Sequence, residues 1–412
     1  MPWKLIKQAL NGNKPLPRMW RERPLKDSYD VVIIGGGAHG LACAYYLARD
    51  HGITDVAVLE KSYIGAGGSG RNTTIIRSNY LTPEGVQFYN ESVRLYEQMA
   101  AELDYNVMFS QRGHLTLAHT DGSVRTMRRR AQVNQIQGVD STVIYPDEIK
   151  RLAPHLDTSD RPRFPILAAL YHPPGGIIRH DAVVWGYAHQ ADARGAHIHQ
   201  HTRVNAIKVV DGKVAGVDTN RGFVKAGAVL NATAGWCTTI ADMAGVRLPV
   251  TTFPLQASVT EALKPFLDVI IVSGSLHVYV SQTDRGELVM GAAVDPFAQY
   301  SMRGSLSYLE GIGGHMLELF PMLAHVRMLR QWAGLCDMTP DYSPIMGKTP
   351  VEGFFVDVGW GTYGFKASPI AGRMSAEAIA TRKTPALIRP FRLSRFDEHA
   401  LVGEKGAASV GH

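Results

Sequence analysis

The chain has 412 residues, 45% apolar and 19% charged, with a formal net charge of +6, which predicts a globular enzyme of about two domains. Three distant cysteines, Cys43, Cys237 and Cys336, argue against a disulfide framework, and no apolar run reaches the roughly 18–20 residues of a membrane span. The N-terminus lacks the apolar stretch and cleavage site of a secretory signal, so a cytoplasmic protein is expected.

Residues 1–28 read as a basic arm. Within residues 1–26, Lys4, Lys7, Lys14, Arg18, Arg21, Arg23 and Lys26 face the single acid Glu22, with Trp3, Leu5, Ile6, Leu10, Leu16, Met19 and Trp20 interleaved. Such a segment is a solvated tail or an arm that grips a partner subunit. No zinc-finger spacing or RNA-binding signature supports nucleic acid as the partner.

Asp30–Ile34 reads as a buried parallel strand, Leu41–Ala48 as a helix of small residues, and Val56–Leu59 as a second strand ending at Glu60. Gly85–Leu103 and Val124–Gln137 read as helices around the strand Gly113–Leu117. Asp181–Arg194 reads as a helix, followed by strands at His197–His199, Val204–Val210, Val214–Val217 and Ala228–Ala232. Alternating strands follow between about 250 and 300, including Leu276–Val280 and Glu287–Met290. Ser305–Phe320 is expected as a helix, Gly353–Gly359 as a strand and Ile370–Thr381 as the last helix. The tail after Phe396 is polar and small, and is expected to be mobile.

Gly35-Gly36-Gly37-Ala38-His39-Gly40 matches G-x-G-x-x-G in a strand–turn–helix–strand setting. Gly35 permits the tight turn, Gly37 lets backbone approach a pyrophosphate, and Gly40 allows helix and strand to pack closely. The pyrophosphate would sit on the positive helix N-terminus, with Glu60 accepting hydrogen bonds from ribose hydroxyls. This motif alone does not separate NAD from FAD. The next segment, Gly65-Ala66-Gly67-Gly68-Ser69-Gly70-Arg71-Asn72-Thr73, starts only five residues after Glu60 and can run back along an extended cofactor. Asn231–Trp236 and Gly359–Lys366 are two further glycine-bearing segments.

In this order the segments resemble the D-amino-acid oxidase and sarcosine oxidase family of FAD-dependent amine oxidases, from Tyr29 to about Arg382. Tyr171-His172-Pro173-Pro174-Gly175-Gly176 and Gly364-Phe365-Lys366-Ala367-Ser368-Pro369 are similar to the β subunits of heterotetrameric sarcosine oxidases. The resemblance implies an α/β, Rossmann-like FAD-binding domain made of residues 29–90, 151–240 and 331–395. It implies a mixed-sheet (α+β) substrate domain from 91–150 and 241–330, and a polar tail at 396–412.

The resemblance also implies site residues. Non-covalent FAD would be held by Gly35, Gly37, Ala38, His39, Gly40, Glu60 and Lys61, by Ser69, Arg71, Asn72 and Thr73, and by Val204, Gly235, Gly359, Gly361, Thr362 and Lys366. Arg77 matches the family's carboxylate-binding arginine and Lys366 its partner lysine, chemistry that suits a small amino acid. Read alone, Arg77 is a surface ion-pair residue and Lys366 a solvated loop charge. Tyr279 is a wall of the site or a core strand tyrosine. The covalent cysteine of the monomeric enzymes lies six residues before the Pro of Thr-Pro-Asp; here that position is Gly334, with Cys336 two residues away.

In the β subunits the histidine matching His172 carries covalent FMN. Its Pro-Pro-Gly-Gly surroundings suggest exposed, rigid presentation, with His180 and His155 as rival histidines. The implied scheme oxidises sarcosine through FAD and then FMN, reduces oxygen to hydrogen peroxide, and yields glycine with formaldehyde or a tetrahydrofolate adduct. The implied partners are α, γ and δ subunits, with NAD on one of them compatible with the scheme, and no nucleic acid or membrane. Two alternatives stay open: another small amino acid (glycine, proline, dimethylglycine) as substrate, and a flavin-carrying scaffold whose chemistry lies on another subunit.

Overall fold

The computed structural model describes residues 2–12 and 18–404. The apolar run at Ser28–Ile34 becomes a central strand, parallel to Val56–Leu59 on one side and Gly222–Asn231 on the other. Both faces are covered, which is why the run is continuously apolar rather than alternating. His197–His199 extends this sheet at one edge, and the antiparallel strands Lys213–Thr219 and Val204–Val210 extend it at the other. Phe354–Val358 joins parallel to Gly222–Asn231, with Ile345–Lys348 antiparallel beside it. The helices Ala38–His51, His180–Ala193 and Gly364–Thr381 share one buried cluster against this sheet. Gly372 makes the closest helix contact possible: a Cβ there would stand 2.4 Å from the Ala42 side chain.

A second sheet of eight strands runs Met328–Met338, Thr251–Ala262, Glu287–Val294, Val278–Gln282, Ile270–Ser273, His114–Ala118, Ala168–His172 and Thr142–Ile144. Ala168–His172 and, within the strand Met328–Met338, residues 331–338 were expected in the cofactor domain. Their ladders place them elsewhere, because His172 pairs with His114 and Leu335 with Pro254. A small third sheet, Ile75–Ile76, Gly176–Ile177 and Ser110–Gln111, joins the two halves.

The last helix starts six residues earlier than expected and runs through Pro369. A proline there removes the N–H that would bond the Phe365 carbonyl. The Tyr96 hydroxyl donates to that carbonyl instead, at 2.5 Å.

The ends of the chain also differ from expectation. Arg21 donates to Asp192 at 2.8 Å, Lys26 to Asp55 at 2.7 Å, and Trp20 packs on the core. Residues 18–26 are therefore docked on the chain's own body, because its acids neutralise their cations. In the helix Pro2–Leu10, by contrast, Trp3, Ile6 and Leu10 are exposed. Lys14 and Leu16 lie outside the described residues. At the other end, Val402 and Glu404 are buried; the tail is packed as far as Glu404, and residues 405–412 lie outside the described residues. Among the described residues no helix is long and apolar enough to cross a membrane.

Candidate active site

At the C-terminal ends of the parallel strands lies one elongated cavity of about 800 Å³. Its floor is the glycine turn. Gly35 has φ +113°, and a Cβ there would stand 2.4 Å from the Ala232 carbonyl. A Cβ on Gly40 would stand 2.1 Å from the Gly35 carbonyl, so Gly40 serves packing and does not line the cavity. Gly37 does line it, and a Cβ there would meet only Ser69 Oγ, at 3.1 Å. The turn ends on the N-terminus of Ala38–His51, the positive end of a helix, which suits a pyrophosphate. Glu60 Oε2 accepts from the Gly36 N–H at 2.9 Å and Oε1 from the Ser62 N–H at 2.8 Å, which aims the carboxylate.

The second glycine loop folds back onto the turn: Ala38 N–H donates to Ser69 Oγ at 2.9 Å. Ala38, His39, Lys61, Ser69, Arg71, Asn72 and Thr73 line the cavity, as do Val204, Gly361 and Thr362. Gly235 and Gly359 do not. Gly235 packs against Leu335, and Gly359, at φ +74°, donates its N–H to Asp337 Oδ2 at 2.6 Å. Both shape the backbone that carries the lining.

Asp337 and Asp357, which the sequence did not single out, also line the cavity. His39 Nδ1 lies 3.0 Å from Asp357 Oδ1 and its Nε2 lies 2.8 Å from the Gly364 carbonyl, two groups that only accept when Asp357 is ionised. Burial pushes the ring's pKa down, but the Asp357 charge and these hydrogen bonds outweigh it and raise it. Burial lifts the Asp337 carboxyl to about 6 against the N–H groups of Gly359 and Trp360. Lys61 lies 3.5 Å over the Trp236 ring, which stacks with Tyr300 at 4.7 Å.

At the far end of the cavity the two expected cations come together. Arg77 is 5% exposed, lies over the Tyr80 ring at 4.5 Å, and donates to Asn79 Oδ1 at 2.9 Å. Lys366 Nζ donates to the Thr362 carbonyl at 3.2 Å. Burial and then the Arg77 charge hold the Lys366 pKa well below its usual value. Tyr279 lines the same end, flat against Gly291, so it is a wall and not only a core residue. Gly334 and Cys336 also line the cavity, and burial pushes the Cys336 thiol's pKa far up.

His172 is elsewhere. It ends the strand Ala168–His172, is 0% exposed and does not line the cavity. Its Nδ1 donates to the Asp140 carbonyl at 2.7 Å and its Nε2 accepts from the Ser78 N–H at 3.2 Å. Burial lowers its pKa to about 4. The expectation of an exposed turn histidine is thus corrected: the prolines and glycines follow the ring, but the strand pairing encloses it. His180, at the start of the helix His180–Ala193, is partly exposed, and no hydrogen bond among the described residues reaches its ring.

Comparison with known proteins fits this geometry. Residues 30–378 match the family described as FAD dependent oxidoreductase. The chain is 46% identical to sarcosine oxidase subunit beta of Arthrobacter sp., covering 96% of this chain and 97% of that one. It is 44% identical to the protein of the same name from Rhodobacter capsulatus, covering 99% and 98%. Among solved structures, L-proline dehydrogenase from P. horikoshii superposes with a TM-score of 0.87 at 29% identity, over 92% of this chain and 100% of that one. Glycine oxidase from Geobacillus kaustophilus shares the fold, with a TM-score of 0.81 at 23% identity over 90% and 99%. The chain belongs to the FAD-dependent oxidoreductase family and, within it, to the sarcosine oxidase β subunits.

Proposed function

We propose that this chain is the FAD-bearing, sarcosine-oxidising subunit of a hetero-oligomeric enzyme. The observation that carries the reading is the meeting of Arg77 and Lys366 in the buried end of a cavity whose other end is a dinucleotide turn. FAD, when bound, supplies the hydride acceptor. The chain's own residues bind and orient: the two cations hold a carboxylate, and their charge disfavours a protonated amine beside it. Tyr279 and its apolar neighbours limit the space to a small amine. The balanced reaction converts sarcosine, oxygen and water to glycine, formaldehyde and hydrogen peroxide, or passes the one-carbon unit to tetrahydrofolate on a partner.

Anaerobic bleaching of FAD by sarcosine tests this against a flavin-carrying scaffold. A panel with glycine, proline and dimethylglycine tests the substrate. Arg77→Ala and Lys366→Ala should each weaken carboxylate binding by about 2–4 kcal/mol with FAD still bound. Acetate, which has no amine to titrate, isolates the lysine. As pH rises through the depressed pKa of Lys366, the ammonium loses its charge and acetate affinity falls; the Lys366→Ala variant lacks that step. Parental acetate affinity in both variants would place the clamp elsewhere.

A second flavin, FMN, covalent on this chain, completes the proposed scheme, with α, γ and δ subunits as partners, NAD on one of them, and the cytoplasm as the compartment. His172 has the right tautomer, Nδ1–H with a lone pair on Nε2, but its enclosed ring leaves no approach for an isoalloxazine. His180 is the second reading, favoured by its partial exposure and unengaged ring. Peptide mapping of the assembled enzyme decides. A flavin adduct on the peptide containing His180 that survives His172→Ala supports the second reading, an adduct on His172 the first, and no adduct removes covalent FMN from this chain.

A further inference from the structure

The two proposed clamp cations each rest on a tyrosine. Arg77 lies over Tyr80 at 4.5 Å and Lys366 over Tyr363 at 5.6 Å, and the two rings meet edge to face at 5.3 Å. Behind both stands Glu404, 2% exposed. Its Oε2 accepts from the Leu81 N–H at 3.0 Å and its Oε1 from the Thr82 N–H at 2.9 Å and from the Thr82 hydroxyl. Its main-chain carbonyl accepts from the Tyr363 hydroxyl at 3.0 Å. One residue thus fixes the backbone just after Tyr80 and the tip of Tyr363.

The seat for this carboxylate is built. It lies at the N-terminus of Pro83–Glu102, where a negative charge is favoured. Gly85 makes room for it, since a Cβ there would stand 2.2 Å from Glu404 Oε1. The segment is anchored independently by Asp341, which accepts from the N–H groups of Val402 at 3.0 Å and Glu404 at 3.1 Å.

We propose that Glu404 is a positioning residue for substrate binding, setting the spacing of Arg77 and Lys366 by fixing the backbone that follows Tyr80 and the hydroxyl of Tyr363, the two tyrosines on which they lie. The proposal rests on the reading that these cations bind the substrate carboxylate. It makes the carboxylate affinity of the site depend on a residue near the end of the chain that touches no substrate.

The test uses the FAD-loaded, assembled enzyme, with acetate binding followed through the flavin spectrum and sarcosine turnover measured alongside. Glu404→Ala removes the carboxylate while Asp341 still holds the segment; Gly85→Ala evicts the carboxylate while leaving residue 404 intact. Each should raise the acetate Kd and the sarcosine KM on the order of tenfold with a smaller change in kcat, and Glu404→Gln should recover part of the loss. In the Arg77→Ala background, Glu404→Ala should add little, because the position it sets is already vacant. If Arg77→Ala weakens acetate binding but Glu404→Ala and Gly85→Ala only lower the melting temperature, Glu404 is a helix cap and the proposal is overturned. If Arg77→Ala itself leaves acetate affinity unchanged, Arg77 is no part of the clamp and this proposal falls; if Lys366→Ala does so as well, the clamp reading falls with it.

Discussion

Gly37→Val is expected to give a folded protein that no longer holds FAD. Gly37 has φ −82°, an ordinary value for any residue, and a Cβ there meets only Ser69 Oγ at 3.1 Å. The added side chain therefore projects into the cavity, where backbone must approach the pyrophosphate, without breaking the turn. Gly35 and Gly40 would make poor tests. A Cβ there would stand 2.4 Å and 2.1 Å from backbone carbonyl oxygens, so their substitution disturbs folding and cofactor binding together. The non-covalent flavin released per chain on denaturation and the far-UV circular dichroism of the native protein check the outcome. Parental FAD content in Gly37→Val would remove the turn from the cofactor site.

The second large effect concerns stability. Arg395 is 0% exposed and grips Asp341 with two hydrogen bonds, Nε to Oδ2 at 2.8 Å and Nη2 to Oδ1 at 2.9 Å. Nη2 also donates to the Ser343 carbonyl at 2.9 Å. Arg395→Ala leaves the Asp341 carboxylate buried without its counter-charge, which costs about 3–5 kcal/mol. Burial pushes the Asp341 carboxyl's pKa up, but the Arg395 hydrogen bonds and charge outweigh it and hold it below the usual range. A depressed pKa of this kind stabilises above the unfolded carboxylate value, and the contribution is lost as pH falls through the folded value. Urea melts of parent and variant should therefore differ most at neutral pH and converge under acid. A difference within about 0.5 kcal/mol at neutral pH would show that the pair is replaced by water. Because Asp341 also holds Val402 and Glu404, the same variant should loosen carboxylate binding.

The βαβ unit, its glycine turn and Glu60 were legible in the sequence, because each signal is local. A run of Val and Ile, a glycine where φ is positive or backbones touch, and an acid at a strand end are all read within a few residues. Arg77 and Lys366 were legible only through family resemblance, since nothing near either residue says that both end in one cavity. His172 was misread for a related reason. Its Pro-Pro-Gly-Gly surroundings are a turn signal, but burial of the ring comes from Ser78, 94 residues away, and Asp140, 32 away.

By itself the sequence determined the strand–turn–helix chemistry of the cofactor end, and the residue types available for a carboxylate at the other. Tertiary structure alone decided which polar groups are buried together. His39 meets Asp357 across 318 positions and Glu404 meets Thr82 across 322. Both contacts involve groups that would be unremarkable on a surface and costly to bury unpaired. The tail around Glu404 reads as polar and mobile because composition reports what a segment tolerates in water. It packs because Asp341, Tyr363 and the open helix end at Thr82 together offer its polar groups partners that only the folded chain assembles.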